Sequence, residues 1–116
     1  MDFETLKKFH KNPPINGELK RKPEIEELYK NYKKTNDFIK NLFTNNIWII
    51  TENKFPYDLK PNIDHKIIWF KNTINYKLID FLFRDQDIVY FENCYKNKSI
   101  KSILHVHIFI KNDLYI

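Results

Sequence analysis

Leu104-His105-Val106-His107-Ile108-Phe109-Ile110-Lys111, a strictly alternating run near the C-terminus, decides how the rest of the chain is read. A period of two places Leu104, Val106, Ile108 and Ile110 on one face of a strand and His105, His107, Phe109 and Lys111 on the other. The aliphatic face is expected to be core. The opposite face then displays two imidazoles ~7 Å apart along the strand. Such a pair suits holding a phosphate, sharing a metal or presenting one ring as a nucleophile. It suits equally two histidines satisfied by hydrogen bonds on a half-buried face.

Working back from that strand, three more segments carry strand character: Ile47-Trp48-Ile49-Ile50-Thr51, Lys66-Ile67-Ile68-Trp69-Phe70 and Ile88-Val89-Tyr90-Phe91. Between the second and third, Ile74, Leu78, Phe81 and Leu82 follow helical spacing and predict a crossover helix lying on the sheet. Ahead of the strands the period is helical. Asp2 to His10 predicts a short helix with Phe3, Leu6 and Phe9 on one side, ended by Asn12-Pro13-Pro14. Pro23 opens a longer one, with Glu24, Glu26 and Glu27 matching the macrodipole. Ile25, Leu28, Tyr29, Tyr32, Ile39, Leu42 and Phe43 are its expected core stripe, with Thr35-Asn36 weakening its middle. The class that follows is α+β in a single domain over residues 1–116. Helices over residues 1–44 pack on an antiparallel sheet of four or more strands, arranged β-β-α-β-β over residues 45–116.

Composition narrows the chemistry. At 116 residues, with 42% hydrophobic and 16% aromatic content, the chain supports one core and not two. A single glycine excludes the glycine-rich phosphate loops. The lone Cys94 has neither a disulfide partner nor companions for a zinc site, and reads as a reduced intracellular thiol. Met1 to Lys8 has no apolar signal core, and no run approaches ~18 apolar residues, so secretion and membrane spanning are not expected. The net charge of +5 favours anionic partners, although the lysines are interspersed with acids as on a solvated surface. Nucleic acid is possible but not favoured, because no RNA-recognition signature, zinc-finger spacing or sustained basic helix is present.

His65 stands at the start of the second strand, just after Phe55-Pro56-Tyr57-Asp58-Leu59-Lys60-Pro61-Asn62, and is placed to join His105 and His107 at one pocket. A shared metal would need a fourth ligand such as Asp58, Asp64 or Glu92, and nothing in the spacing demands one; no cofactor is expected. Lys98, Ser99, Lys101 and Ser102 lie ahead of the histidine strand, where they offer charge and hydroxyls to a phosphate or simply form a solvated loop. Trp48, Trp69, Phe55 and Tyr57 are candidates either for stacking on a base or for core packing.

The whole chain resembles the N-acetylglucosamine-induced protein 1 family. The residues that carry the likeness are Arg21-Lys22-Pro23-Glu24, then Phe55-Pro56-Tyr57-Asp58 with His65 and Trp69, then Tyr90-Phe91-Glu92-Asn93, a Ser-Ile pair at 99–100 or 102–103, and His105-Val106-His107. That resemblance implies a link to the response to an amino sugar and no established activity. The second half is also similar to the histidine triad family of nucleotide hydrolases and transferases, through Lys54 to Asp58, His65-Lys66-Ile67-Ile68 and Ser102-Ile103-Leu104-His105-Val106-His107-Ile108-Phe109. It implies a histidine triad-like sheet, with His107 in the nucleophile's place attacking an α-phosphate and His105 and Ser102 supporting that phosphate. The chain departs from the pattern at Phe109, which replaces the third histidine, and at Asp64, which replaces a glycine. Altered or lost catalysis follows from those departures.

Two functions stay open. In the first, a nucleotide or nucleotide sugar binds at His65, His105 and His107, helped by Ser102, Lys101, Asn93, Tyr57 and Trp69, with vestigial or altered hydrolase or transferase chemistry through His107. In the second, the histidines are structural and the chain is a regulatory or protein-interaction domain.

Overall fold

The computed structural model describes residues 1–15, 17–32, 46–92 and 104–112. Ile39, Leu42, Phe43, Thr35-Asn36, Asn93, Cys94, Lys98, Ser99, Lys101 and Ser102 lie outside the described residues.

Four strands form one antiparallel sheet in the order β1-β2-β4-β3, with β1 Trp48–Glu52, β2 Ile63–Phe70, β3 Ile88–Phe91 and β4 Leu104–Lys111. The histidine strand is therefore central, between β2 and β3. Its register on β2 sets His65 opposite Phe109, Ile67 opposite His107 and Trp69 opposite His105. β2 begins at Ile63, two residues ahead of His65, because its pairing with β4 runs out as far as Lys111.

Both faces of the sheet are covered, which corrects the expectation of one core face. On the aliphatic face, Ile68, Phe70, Tyr90, Val106, Ile108 and Ile110 pack beneath the crossover helix α3, Tyr76–Leu82. Asn75 caps this helix by accepting from the Leu78 amide at 3.0 Å. The anchors of α3 and the turn after it are Ile79 and Phe83, both buried, with Ile74, Leu78 and Leu82 partly buried beside them. Phe81, placed in the stripe by its spacing, is 61% exposed. Ile79 and Phe83 are four apart and point at the sheet, which turns Phe81 away.

On the histidine face the cover comes from the N-terminus. Helix α1, Phe3–Leu6, is capped by Asp2, which accepts from the Thr5 amide, and continues as a 3-10 turn over Lys7–Phe9. Phe3, Leu6 and Phe9 are buried against Phe109, Phe91, Val89 and Ile63, as their spacing predicts. His10 and Lys11 then run along the edge strand: the Tyr90 amide donates to His10 Nδ1 at 3.1 Å and the Lys11 amide donates to the Tyr90 carbonyl at 2.8 Å. These bonds satisfy β3 groups that would otherwise form an open edge. Backbone bonds also tie the segment before β2 to the N-terminal part, from Asp58 to Lys20 and from Lys60 to Met1.

Helix α2, Pro23–Asn31, begins at the expected proline but buries none of its residues, and Leu28 and Tyr32 are 60% and 43% exposed. The expected core stripe of Ile25, Leu28, Tyr29 and Tyr32 is thus corrected. This helix rests on the loop before β2, where Tyr29 and Tyr32 pack on Phe55, and not on the sheet. No helix among the described residues is long and apolar enough to cross a membrane.

Candidate functional site

Antiparallel register and period-two alternation put Trp69, His105, His107, His65 and Phe109 on one face, in a continuous row of flat rings. Trp69 lies 4.9 Å from His105, His105 5.7 Å from His107 and His107 5.1 Å from His65, centroid to centroid. Phe109 stacks on His65 at 4.4 Å, and Tyr57 lies over both, 5.1 Å from His65 at an interplanar angle of 18°. His65 and His107 are diagonal neighbours across the β2–β4 pair, close enough for His65 Nε2 and His107 Nδ1 to share a hydrogen bond of 2.8 Å. The three imidazoles predicted from separate points in the chain do come together.

They come together inside the protein. His65, His105 and His107 are 6%, 4% and 5% exposed. Burial disfavours the imidazolium and holds His65 at a pKa of about 3, with the nearby Arg21 guanidinium pushing the same way. His107 is driven well below its ordinary value, first by burial and then by the positive charge its neighbours His65, His105 and Arg21 would carry. Arg21 is itself fixed: it stacks 3.9 Å from the Tyr29 ring, donates to the Phe55 carbonyl and pairs with Glu26 at 3.4 Å. Of the segment Arg21-Lys22-Pro23-Glu24 that carries the resemblance, Arg21 stands near His65, and Lys22 and Glu24 line the opening beside it.

Trp69 is buried and donates from Nε1 to Thr51 Oγ1 at 2.8 Å, which fixes it as packing beneath His105 and leaves no ring face for a base. Trp48 packs partly buried on the other face. Phe55 is taken up by Tyr29 and Tyr32. Among the described residues no group of three or more His, Cys, Asp or Glu side chains is disposed to hold a metal ion. Of the suggested fourth ligands, Asp64 alternates onto the opposite face of β2, and Glu92 accepts from the Tyr76 hydroxyl.

One histidine reaches an opening. A cleft of ≈ 430 Å³ between α2 and the loop before β2 is lined by Lys22, Glu24, Asn53, Tyr57, Lys60 and His65, among others. Its size lies within the usual range of small-molecule sites. A larger hollow of ≈ 640 Å³, where Asp64 and Arg84–Asp87 meet Ile110–Asn112, takes in Asp64 from the suggested fourth ligands and none of the residues predicted to bind a nucleotide. Sequence reasoning missed Asn53, Lys22 and Lys60. The first was within reach: β1 and β2 form an antiparallel pair, and the Asn53 amide donates to the His65 carbonyl just beyond their ladder.

No family model matches the chain, and no curated protein matches it. A solved structure does: the crystal structure of HTC1, at a TM-score of 0.70 and 16% identity over 95% of this chain and 84% of that one. The likeness establishes the fold, an α+β arrangement of helices with a four-stranded antiparallel sheet.

Proposed function

We propose that the chain is a small intracellular binding domain of histidine triad-like build, which takes a nucleotide or nucleotide sugar into the cleft beside β2 and binds it without turning it over. The observation that carries this reading is the double position of His65, which lines the cleft and hydrogen-bonds the buried His107. A ligand seated there meets the lysines Lys22 and Lys60 for phosphate oxygens, and Glu24, Asn53 and Glu52 for hydroxyls. The mixed charge of this lining suits a ligand that carries both, as a nucleotide sugar does.

Turnover through His107 is disfavoured by its surroundings. In-line attack on an α-phosphate needs a bare ring nitrogen within reach of the ligand, whereas this ring is 5% exposed and its Nδ1 is engaged with His65. His65 serves instead as an uncharged wall of the cleft, hydrogen-bonded to the buried His107 behind it.

Thermal unfolding against a panel of nucleotides and nucleotide sugars tests the reading. A ligand at 100 times its dissociation constant stabilises the fold by ~2.7 kcal/mol, a rise of roughly 10 °C for a chain this size. No shift across the panel would favour the second reading, a protein-interaction domain, for which the specific observation is the 60% exposure of Leu28 on α2 and the 43% exposure of Tyr32 at its C-terminal end.

A further inference from the structure

The N-terminal segment that covers the histidine face is tied at its far end through a titratable acceptor. Phe3, Leu6 and Phe9 hold its body by burial, and the Lys60 amide donates to the Met1 carbonyl at 3.0 Å to hold its start. The far end meets the edge of β3 at Tyr90, whose amide donates to His10 Nδ1 at 3.1 Å and whose carbonyl accepts from the Lys11 amide at 2.8 Å. A backbone amide only donates, so Nδ1 presents a bare lone pair and the neutral ring carries its proton on Nε2. Protonation puts an N–H on Nδ1, and two donors then meet head to head. The ring is only partly buried, edge-on to Tyr90 at 4.6 Å. Lys11 beside it has a φ of 59°, in the left-handed region that a side chain disfavours, so the two bonds to Tyr90 hold a strained turn. The charged groups around His10 are Lys11, which opposes a second positive charge, and Asp80 on α3, which favours one. Asp80 is exposed and accepts from the Tyr90 hydroxyl at 3.1 Å. Burial and Lys11 outweigh it, so the folded ring is harder to protonate than a free histidine. The Tyr90 phenol, pushed up to about 12 chiefly by burial, stays neutral throughout.

We propose that His10 is an acid-sensitive latch: neutral, it pins the end of the N-terminal segment to the edge of β3, and protonated, it lets that end go. Release frees the outward amide and carbonyl of Tyr90 and relaxes Lys11, while Phe3, Leu6 and Phe9 stay seated on Phe91 and Phe109. The opening is therefore local. What it uncovers is a strand edge, a surface that pairs readily with another extended chain. A released histidine takes up its proton at the ordinary 6.5 and the latched one only below that, so the latch is closed above pH 6.5 and weakens as pH falls through it. The device works whichever ligand the cleft accepts.

Amide hydrogen exchange of the full chain, followed by NMR from pH 7.5 to 5.5 and corrected for the intrinsic pH dependence of exchange, reads the latch at Tyr90 and Lys11. Protection at both amides is expected to fall about tenfold, the most that a histidine with a free value of 6.5 supplies over that range. In His10→Asn, whose Oδ1 takes the place of Nδ1 as an acceptor that does not titrate, it is expected to stay within about twofold. His10→Ala removes the acceptor and is expected to show the low protection already at pH 7.5. A wild-type profile flat to within twofold overturns the latch, and so does an equal loss in His10→Asn. Should His10→Asn not fold, wild-type protection at Tyr90 in His10→Ala at pH 7.5 overturns it, as does a two-bond ¹H–¹⁵N spectrum with the proton on His10 Nδ1 at that pH.

Discussion

Lowering the pH from 7.5 to 5 should destabilise this protein through its buried histidines, well before most carboxylates titrate. The folded His65 has a pKa of about 3 against an ordinary 6.5, and His107 is lowered as well. Between those limits the unfolded chain binds a proton at each ring that the folded chain refuses, so unfolding takes up protons and stability must fall as pH falls. At pH 5, some 1.5 units below the unfolded value, His65 alone costs about 2 kcal/mol, and His107 adds to this in the same direction. His10, lowered by partial burial and by Lys11, contributes a smaller part of the same sign. Against a typical total of about 5–15 kcal/mol, the loss is large. Asp2, lowered chiefly by the Thr5 hydrogen bond, acts only below its ordinary 3.8 and outside this window. Urea titrations at pH 7.5, 6.5, 5.8 and 5 measure the slope, and an unchanged m-value confirms that the same folded state is being unfolded. We expect at least ~1.4 kcal/mol per pH unit below pH 6, reduced in His65→Phe. A flat profile, or an uptake on unfolding of less than about half a proton, would refute the buried neutral pair.

Two further outcomes bear on the cover and the cleft. Leu6→Ala, which empties a fully buried site of the N-terminal segment against the sheet, should cost about 2–5 kcal/mol, whereas Leu28→Ala on the exposed side of α2 should stay within about 0.5 kcal/mol; denaturant midpoints compare them. Lys60→Ala removes an exposed cation from the cleft and should leave the ligand-free melting temperature within about 2 °C, while reducing the rise produced by a nucleotide sugar.

The sheet was legible because its strands obey simple periods. Alternation from Leu104 to Lys111 gave both faces of β4, and the crossover spacing from Ile74 to Leu82 gave α3 to within a residue of its buried side. Burial of the histidine face was not legible. It depends on Phe3, Leu6 and Phe9 meeting Phe109 and Phe91 across nearly the whole chain, and no local pattern on β4 distinguishes a face covered by a distant segment from one that meets water. The exposure of α2 escaped for a related reason: its apolar residues repeat at helical spacing, but their partner is Phe55 in a loop. For the candidate site, the meeting of His65 with His107 was expected from the place of His65 at the start of the second strand, whereas the position of Asn53 was not. Its place comes from a two-residue turn, Asn53 Oδ1 to the Phe55 amide, which brings an amide against a ring on the neighbouring strand.

Backbone amide spectra recorded during titration with a nucleotide sugar address binding at the histidine-lined cleft most directly. Shifts concentrated on Lys22, Asn53, Tyr57, Lys60 and His65, with the His107 ring unmodified after prolonged incubation, are the predicted result. Shifts gathered instead at Arg84–Asp87 and Lys111, or a phosphorus adduct on His107, would contradict it.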